Sequence, residues 1–161
     1  MAVGAHLGAP TAMMGGIFLL LGIGTDIVEL ERVRKALENQ RFVERVYTEG
    51  EREYCEGRGA QRTASYAARW AGKEAVLKAF GTGLREGKLT EIEILPDELG
   101  CPQVTLAGVF AEMAQRRGAR LQVSLSHARA FATAVCIMEG AAPQGTLQAG
   151  GTSPKGMSEE G

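Results

Sequence analysis

The chain is short of cysteine, histidine and aromatic residues, and it has no excess of either charge. Cys55, Cys101 and Cys136 are an odd number without C-x-x-C spacing, which argues against a disulfide framework and against a zinc site. They read as free thiols of a reducing cytoplasm. Lys and Arg number 18 against 19 Asp and Glu, for a net charge of −1, so the basic surplus of a general nucleic-acid binder is missing. No Lys or Arg precedes Arg32. The apolar run over 13–23 therefore lacks the basic flank of a signal peptide, and it is too short to span a bilayer as a helix.

What remains is one ordinary domain. At 161 residues and 45% hydrophobic content the chain can build a single core. Residues 1–16 show no periodicity and read as an extension, with Met13 or Met14 a candidate start. From Gly140 to Gly161 the Gly, Ser, Thr and Pro content is too high to offset ordering entropy, so residues 140–161 read as a disordered tail. The domain is expected over 17–139.

Within it, Ile17 to Ile23 reads as a buried strand leading into Asp26, which a following helix over 29–38 would also accept as an N-cap. Thr48-Glu-Gly-Glu51 has the form of a capping box inside a highly charged stretch, and Gly57 and Gly59 end the helix it starts. Thr90 to Leu95 and Gln103 to Leu106 read as two strands about a turn, and Ala107 to Arg117 as an amphipathic helix stopped by Gly118. Leu121 to Ser126 alternates strictly, Phe131 to Met138 is the last strand, and His127 falls in the connection between them.

The middle of the chain carries the chemistry. A helix from about Ala64 to Gly81 contains Glu74 and Lys78 four apart, on one face. Its Ala and Gly residues would let neighbouring backbones approach closely, although Gly72 costs up to about 1 kcal/mol relative to Ala. Alone, Glu74 and Lys78 read as a solvated ion pair worth a few tenths of a kcal/mol. Yet Arg69, Lys73, Lys78, Arg85 and Lys88 face only Glu74 and Glu86 over that region, a local positive balance beside glycines that suits a polyphosphate. Trp70 reads as core packing.

Three segments then occur in order: Gly22-Ile-Gly-Thr-Asp-Ile27 followed by Arg32, Lys73-Glu-Ala-Val-Leu-Lys-Ala-Phe-Gly-Thr-Gly83, and Ser124-Leu-Ser-His127. Together they resemble the holo-acyl-carrier-protein synthases, the short class of 4′-phosphopantetheinyl transferases, over 18–139. The resemblance implies that family's α+β fold, a small antiparallel sheet packed with helices in a single domain. It implies transfer of the 4′-phosphopantetheine arm of coenzyme A to a serine of apo-acyl-carrier protein, with 3′,5′-ADP leaving and Mg²⁺ as cofactor. In family terms Asp26 and Glu74 hold the metal, and Lys78 faces the phosphates. The serine proton would go to a metal-bound water or to Glu74.

Arg69 and His127 match family positions that contact coenzyme A phosphates, although Ala128-Arg-Ala130 after the histidine departs from the usual pattern. Gly81 and Gly83 let the backbone pass close to the nucleotide, though either also serves as a helix cap. Arg32 matches an arginine that meets the acidic carrier protein, with Arg34 and Lys35 beside it to steer. The family forms homotrimers with shared sites, so Asp26, Glu74 and Lys78 are expected from one subunit and Arg69 or His127 from its neighbour. Neither nucleic acid nor membrane is an expected partner. Two other classes stand beside this reading: a catalytically silent binder of coenzyme A or carrier protein, and a Mg²⁺-dependent nucleotide hydrolase. The intact Asp26, Glu74 and Lys78 argue against the first, and the second would want a water-positioning residue.

Overall fold

The structure, a computed structural model, describes residues 18–141; the N-terminal extension, Ile17 and most of the expected tail lie outside the described residues. Its axis is α4 (Arg62–Phe80), 19 residues with 14 of them buried. A helix enclosed on nearly all sides needs small residues where backbones meet it, and Ala67, Ala71 and Ala75 have no exposure at all. Gly81, at φ 76°, adopts the left-handed conformation that ends the helix and returns its N–H to Leu77 O and Lys78 O.

Three strands lie across α4 as an antiparallel sheet in the order β1-β5-β4: β1 (Phe18–Glu29), β5 (Phe131–Ala141) and β4 (Ala119–His127). Asp26 pairs with Ala134, which pairs with Leu125. The inner face packs Val28, Ala132, Ala134, Cys136 and Met138 into the core. Gly22 and Gly24 lie where β1 meets the helix backbone. A Cβ on Gly24 would collide with Ala75 O and lie 2.8 Å from Ala79 N, and one on Gly22 would collide with Ala79 O.

The remaining elements close one side of α4. Following β1 come α1 (Leu30–Ala36), α2 (Gln40–Val46), capped by the Asn39 side chain, and α3 (Glu49–Glu56), opened by the Thr48–Glu51 capping box read from sequence. After α4, 3₁₀ turns at Gly83–Arg85 and Leu89–Glu91 lead to a two-stranded hairpin of β2 (Ile92–Pro96) and β3 (Pro102–Leu106). Helix α5 (Gly108–Arg117) ends on the left-handed Gly118, as expected. Gly72 is explained by β2 and β4: a Cβ there would lie 2.6 Å from Ile94 Cδ1 and 3.0 Å from Leu125 Cδ2.

Several expectations change. The first strand exists but is not buried, since Leu20, Ile23 and Ile27 are each more than 60% exposed. Asp26 lies inside β1 and caps no helix, because α1 starts at Leu30 with Glu29 at its N-cap. His127 is the last paired residue of β4, opposite Ala132, and β5 continues through Gly140 to Ala141. The largest change concerns charge. Glu51 and Lys73 are both fully buried and paired at 2.6 Å, so neither belongs to a solvated or ligand-facing surface. Removing one member of such a pair typically costs about 3–5 kcal/mol.

Among the described residues no helix is long and apolar enough to cross a membrane.

Candidate active site

Asp26, Glu74 and Lys78 converge because β1 lies directly on α4. The two glycines of β1 bring its backbone against the helix, and Asp26 projects from the same inner face toward Lys78. Lys78 does not pair with Glu74, as the i,i+4 reading had it. Its Nζ donates to Asp26 Oδ1 at 2.9 Å and to Thr25 O at 2.8 Å. The lysine side chain is 52% exposed and that of Asp26 17%, so the ammonium is fixed at its base and open to a ligand.

Glu74 is half-buried one turn earlier on the same face. Burial and the nearby Asp26 carboxylate raise its proton affinity above that of an ordinary carboxyl, while Trp70, Lys78 and Arg32 act the other way. Two carboxylates near enough to repel each other form a natural seat for a hard cation. Among the described residues no three His, Cys, Asp or Glu side chains are grouped to hold a metal. The two carboxylates are a donor set that fits Mg²⁺, which is commonly held by one or two carboxylates together with waters and phosphate oxygens of a substrate.

Glu74 also lines a cavity of ≈ 710 Å³. One wall is α2 (Phe42, Arg45, Val46), another is Gly87–Thr90, and α4 contributes Trp70 and Glu74. Trp70 was read as core packing, and in part it is, with its ring 4.9 Å from that of Phe42. It also sits one turn before Glu74 on the cavity and carries the Arg32 guanidinium 5.2 Å from its centroid. The spacing Trp70–Glu74–Lys78 was visible as a single helical face. Nothing in the sequence pointed to Arg45 as a fellow lining residue.

The other site candidates spread outward. Arg32 is exposed, and among the described residues no carboxylate lies within ion-pair distance of it. Arg34 and Lys35 are engaged by Glu31 on their own helix, at 2.8 and 3.8 Å. Gly81 and Gly83 have positive φ, and the space a Cβ would enter at each is empty. Arg69 lies on the far side of α4 from Lys78, only 5% exposed. It stacks 4.1 Å from the Tyr54 centroid, donates to Ser65 O, and leaves its Nε without a partner among the described residues. His127 is exposed two strands from Asp26 and two residues along, about 12 Å by strand spacing. One subunit thus assembles Asp26, Glu74 and Lys78, and it does not bring Arg69 or His127 to them.

The chain also matches known proteins. The model of the 4′-phosphopantetheinyl transferase superfamily matches residues 22–136. Over 120 residues the chain is 50% identical to a holo-[acyl-carrier-protein] synthase of Ruminiclostridium cellulolyticum, covering 72% of this chain and 90% of that protein. It resembles the crystal structure of a holo-(acyl-carrier-protein) synthase from Bacillus anthracis in complex with CoA (3′,5′-ADP), at 36% identity and a TM-score of 0.64, over 75% of this chain and 97% of that one. For the holo-[acyl-carrier-protein] synthase of Neisseria meningitidis the values are 30% and 0.69, over 74% and 98%.

Proposed function

The chain belongs to the 4′-phosphopantetheinyl transferase superfamily, and from that premise we propose how its residues carry out the transfer. The reaction is that of a holo-[acyl-carrier-protein] synthase. A serine oxygen of apo-acyl-carrier protein bonds to the phosphorus that bears the pantetheine of coenzyme A. The pyrophosphate bridge breaks, the serine loses its proton, and 3′,5′-ADP leaves.

The observation that carries the division of labour is the fixed Asp26–Lys78 contact beside the half-buried Glu74. Lys78, held by Asp26 and Thr25 O, offers its remaining donor capacity to the phosphates and offsets charge as the bridge breaks. Asp26 and Glu74 supply the carboxylates for Mg²⁺, which when bound neutralises the pyrophosphate and stabilises the departing phosphate. Beyond the helix end, the open backbone at Gly81 and Gly83 gives the nucleotide a surface without side chains. Positioning and charge stabilisation supply most of the catalysis in such transfers. Chelation with EDTA should stop arm transfer and added Mg²⁺ restore it; transfer that persists in EDTA would contradict the metal assignment.

The carrier protein approaches over Arg32. Acyl-carrier proteins are acidic, and Arg32 is a cation beside the Glu74 cavity with no carboxylate partner in its own subunit among the described residues. Lys35 and Arg34 contribute less because Glu31 already holds them. Arg32→Glu should raise the carrier-protein KM by roughly tenfold, since a misplaced like charge costs 1–2 kcal/mol or more. The coenzyme A KM should change little; an equal change in both would place Arg32 against the nucleotide instead.

The site is completed by a second copy. On the outer face of the sheet, Ile23 pairs with Ile137 and Thr25 with Val135, while Ile27 and Phe131 lie further along. All five apolar residues are at least 38% exposed, and burying the part each exposes is worth a share of the about 1.5–3 kcal/mol that full burial of such a side chain brings. The apolar residues sit on β1 and β5; the outward residues of β4 are Arg120, Gln122, Ser124 and Ser126, so β4 adds no apolar side chain to that face. On this reading the chain is a cytoplasmic homotrimer with His127 reaching a neighbour's phosphates. Arg69, enclosed by Tyr54, braces α3 against α4, and the phosphate contact falls to His127. Mixing exchanging Glu74→Ala and His127→Ala chains should then recover part of the lost activity. A mixture that exchanges and stays inactive would contradict the sharing.

A further inference from the structure

The reaction uses Glu74 and Lys78 and leaves the third charged residue of the motif, Lys73, without a task. Lys73 is fully buried, so it touches no substrate. Its Nζ donates to Val46 O at 2.6 Å and to Leu89 O at 2.9 Å, and it pairs with Glu51 at 2.6 Å. Glu51 in turn accepts from Thr48 N and Ile94 N, both at 2.9 Å. One ammonium thereby ties the end of α2, the start of α3, the 3₁₀ turn at Leu89–Glu91 and strand β2 to the central helix.

The two carbonyls it holds are not arbitrary. Val46 and Leu89 belong to two neighbouring segments that line the cavity together with Glu74 and Trp70. Among the described residues no other side-chain hydrogen bond joins those two segments, and both belong to short elements: seven residues in α2 and three in the turn. Elements that short have little stability of their own and take their position from tertiary contacts. A donor between two carbonyls fixes their separation to within hydrogen-bond tolerance. Arginine would fork differently, and methionine, of similar length, would not donate at all.

We propose that Lys73, with Glu51 as its counter-charge, is the positioning residue that fixes the two segments lining the Glu74 cleft relative to each other and to α4. The inference rests on the reading that this cleft receives the substrates; its structural part stands without it. Catalysis by positioning is sensitive to small displacements of the walls.

The test uses the wild-type trimer first. Hydrogen exchange should show the bonded amides of 42–47, Glu91 and Ile92 protected nearly as well as those of α4, although they belong to short elements; fast exchange of Glu91 and Ile92 in the wild type would overturn the tie. The second arm removes both charges at once. Lys73→Met/Glu51→Gln leaves no uncompensated charge in the core, so it should recover most of the thermal stability lost by Lys73→Met alone. Its transfer activity should not recover. We expect kcat/KM at least tenfold below wild type with a changed kcat, faster exchange confined to the two wall segments, and red-shifted emission from Trp70, the sole tryptophan. A double variant that regains stability, exchange and transfer together would make Lys73 a charge partner only. If the double variant does not fold, the wild-type exchange result decides. Absence of transfer by the wild type would count against the function, and the exchange and fluorescence readings would still judge the tie.

Discussion

Asp26→Ala and Glu74→Ala should each lower arm transfer by at least about 10²–10³-fold, the usual loss when one electrostatic stabiliser of a transition state is removed, with thermal stability retained. Glu74 is costly to the fold. It is partly desolvated and repelled by Asp26, so its removal relieves strain in the charge distribution, and the melting temperature should stay level or rise. Asp26→Ala removes one acceptor from Lys78 but leaves the Thr25 O contact, and a half-exposed ion pair contributes at most about 1 kcal/mol. Transfer rate and melting temperature measured on the same preparations check both parts. Wild-type turnover by either variant would remove it from the site, and loss of activity through unfolding would make it a scaffold residue.

Gly24→Ala should be as damaging by a different route. The added methyl meets backbone of a buried helix, Ala75 O and Ala79 N, and neither can rotate away as a side-chain tip could. β1 must lift from α4, carrying Thr25 O and Asp26 away from Lys78. Overpacking of this kind costs about 1–3 kcal/mol, which for a domain of this size is a fall of roughly 10 °C in melting temperature. Activity should fall further than stability, because the displaced strand carries Asp26, the proposed metal ligand. Gly57→Ala makes the control: its nearest atom to a new Cβ is 3.5 Å away and its φ of −70° suits any residue. A Gly24→Ala enzyme with wild-type melting and turnover would show that β1 does not depend on close contact with α4.

These two positions also show what was legible in the sequence. The helix of α4, its left-handed stop at Gly81, the capping box at Thr48 and the turn between β2 and β3 all follow from local rules, and local rules read well from one chain. The convergence of Asp26 with Glu74 and Lys78 did not follow from spacing; it came from resemblance to a family. Glycines 22 and 24 were part of a motif whose reason, a strand backbone lying on a helix backbone, is visible only when the two are packed. Glu51 was read as a capping residue in a charged stretch and Lys73 as part of a phosphate-facing positive segment, because charge patterning cannot see 22 residues of separation closing to a buried contact. The exposed Ile23 and Ile27 mark the opposite failure. A run of apolar residues predicts burial, and the proposed contact with copies of this chain would supply that burial outside the single subunit.

Intact-mass measurement of an apo-acyl-carrier protein incubated with this protein, coenzyme A and Mg²⁺ tests the central claim most directly. The account expects the carrier protein to gain the mass of one phosphopantetheine arm, with one 3′,5′-ADP released for each arm added, and no gain when Asp26→Ala or Glu74→Ala replaces the wild type. Release of 3′,5′-ADP without a gain in carrier mass would make the protein a hydrolase. Binding of coenzyme A with neither product would make it a silent module, and either result would contradict transfer by this site.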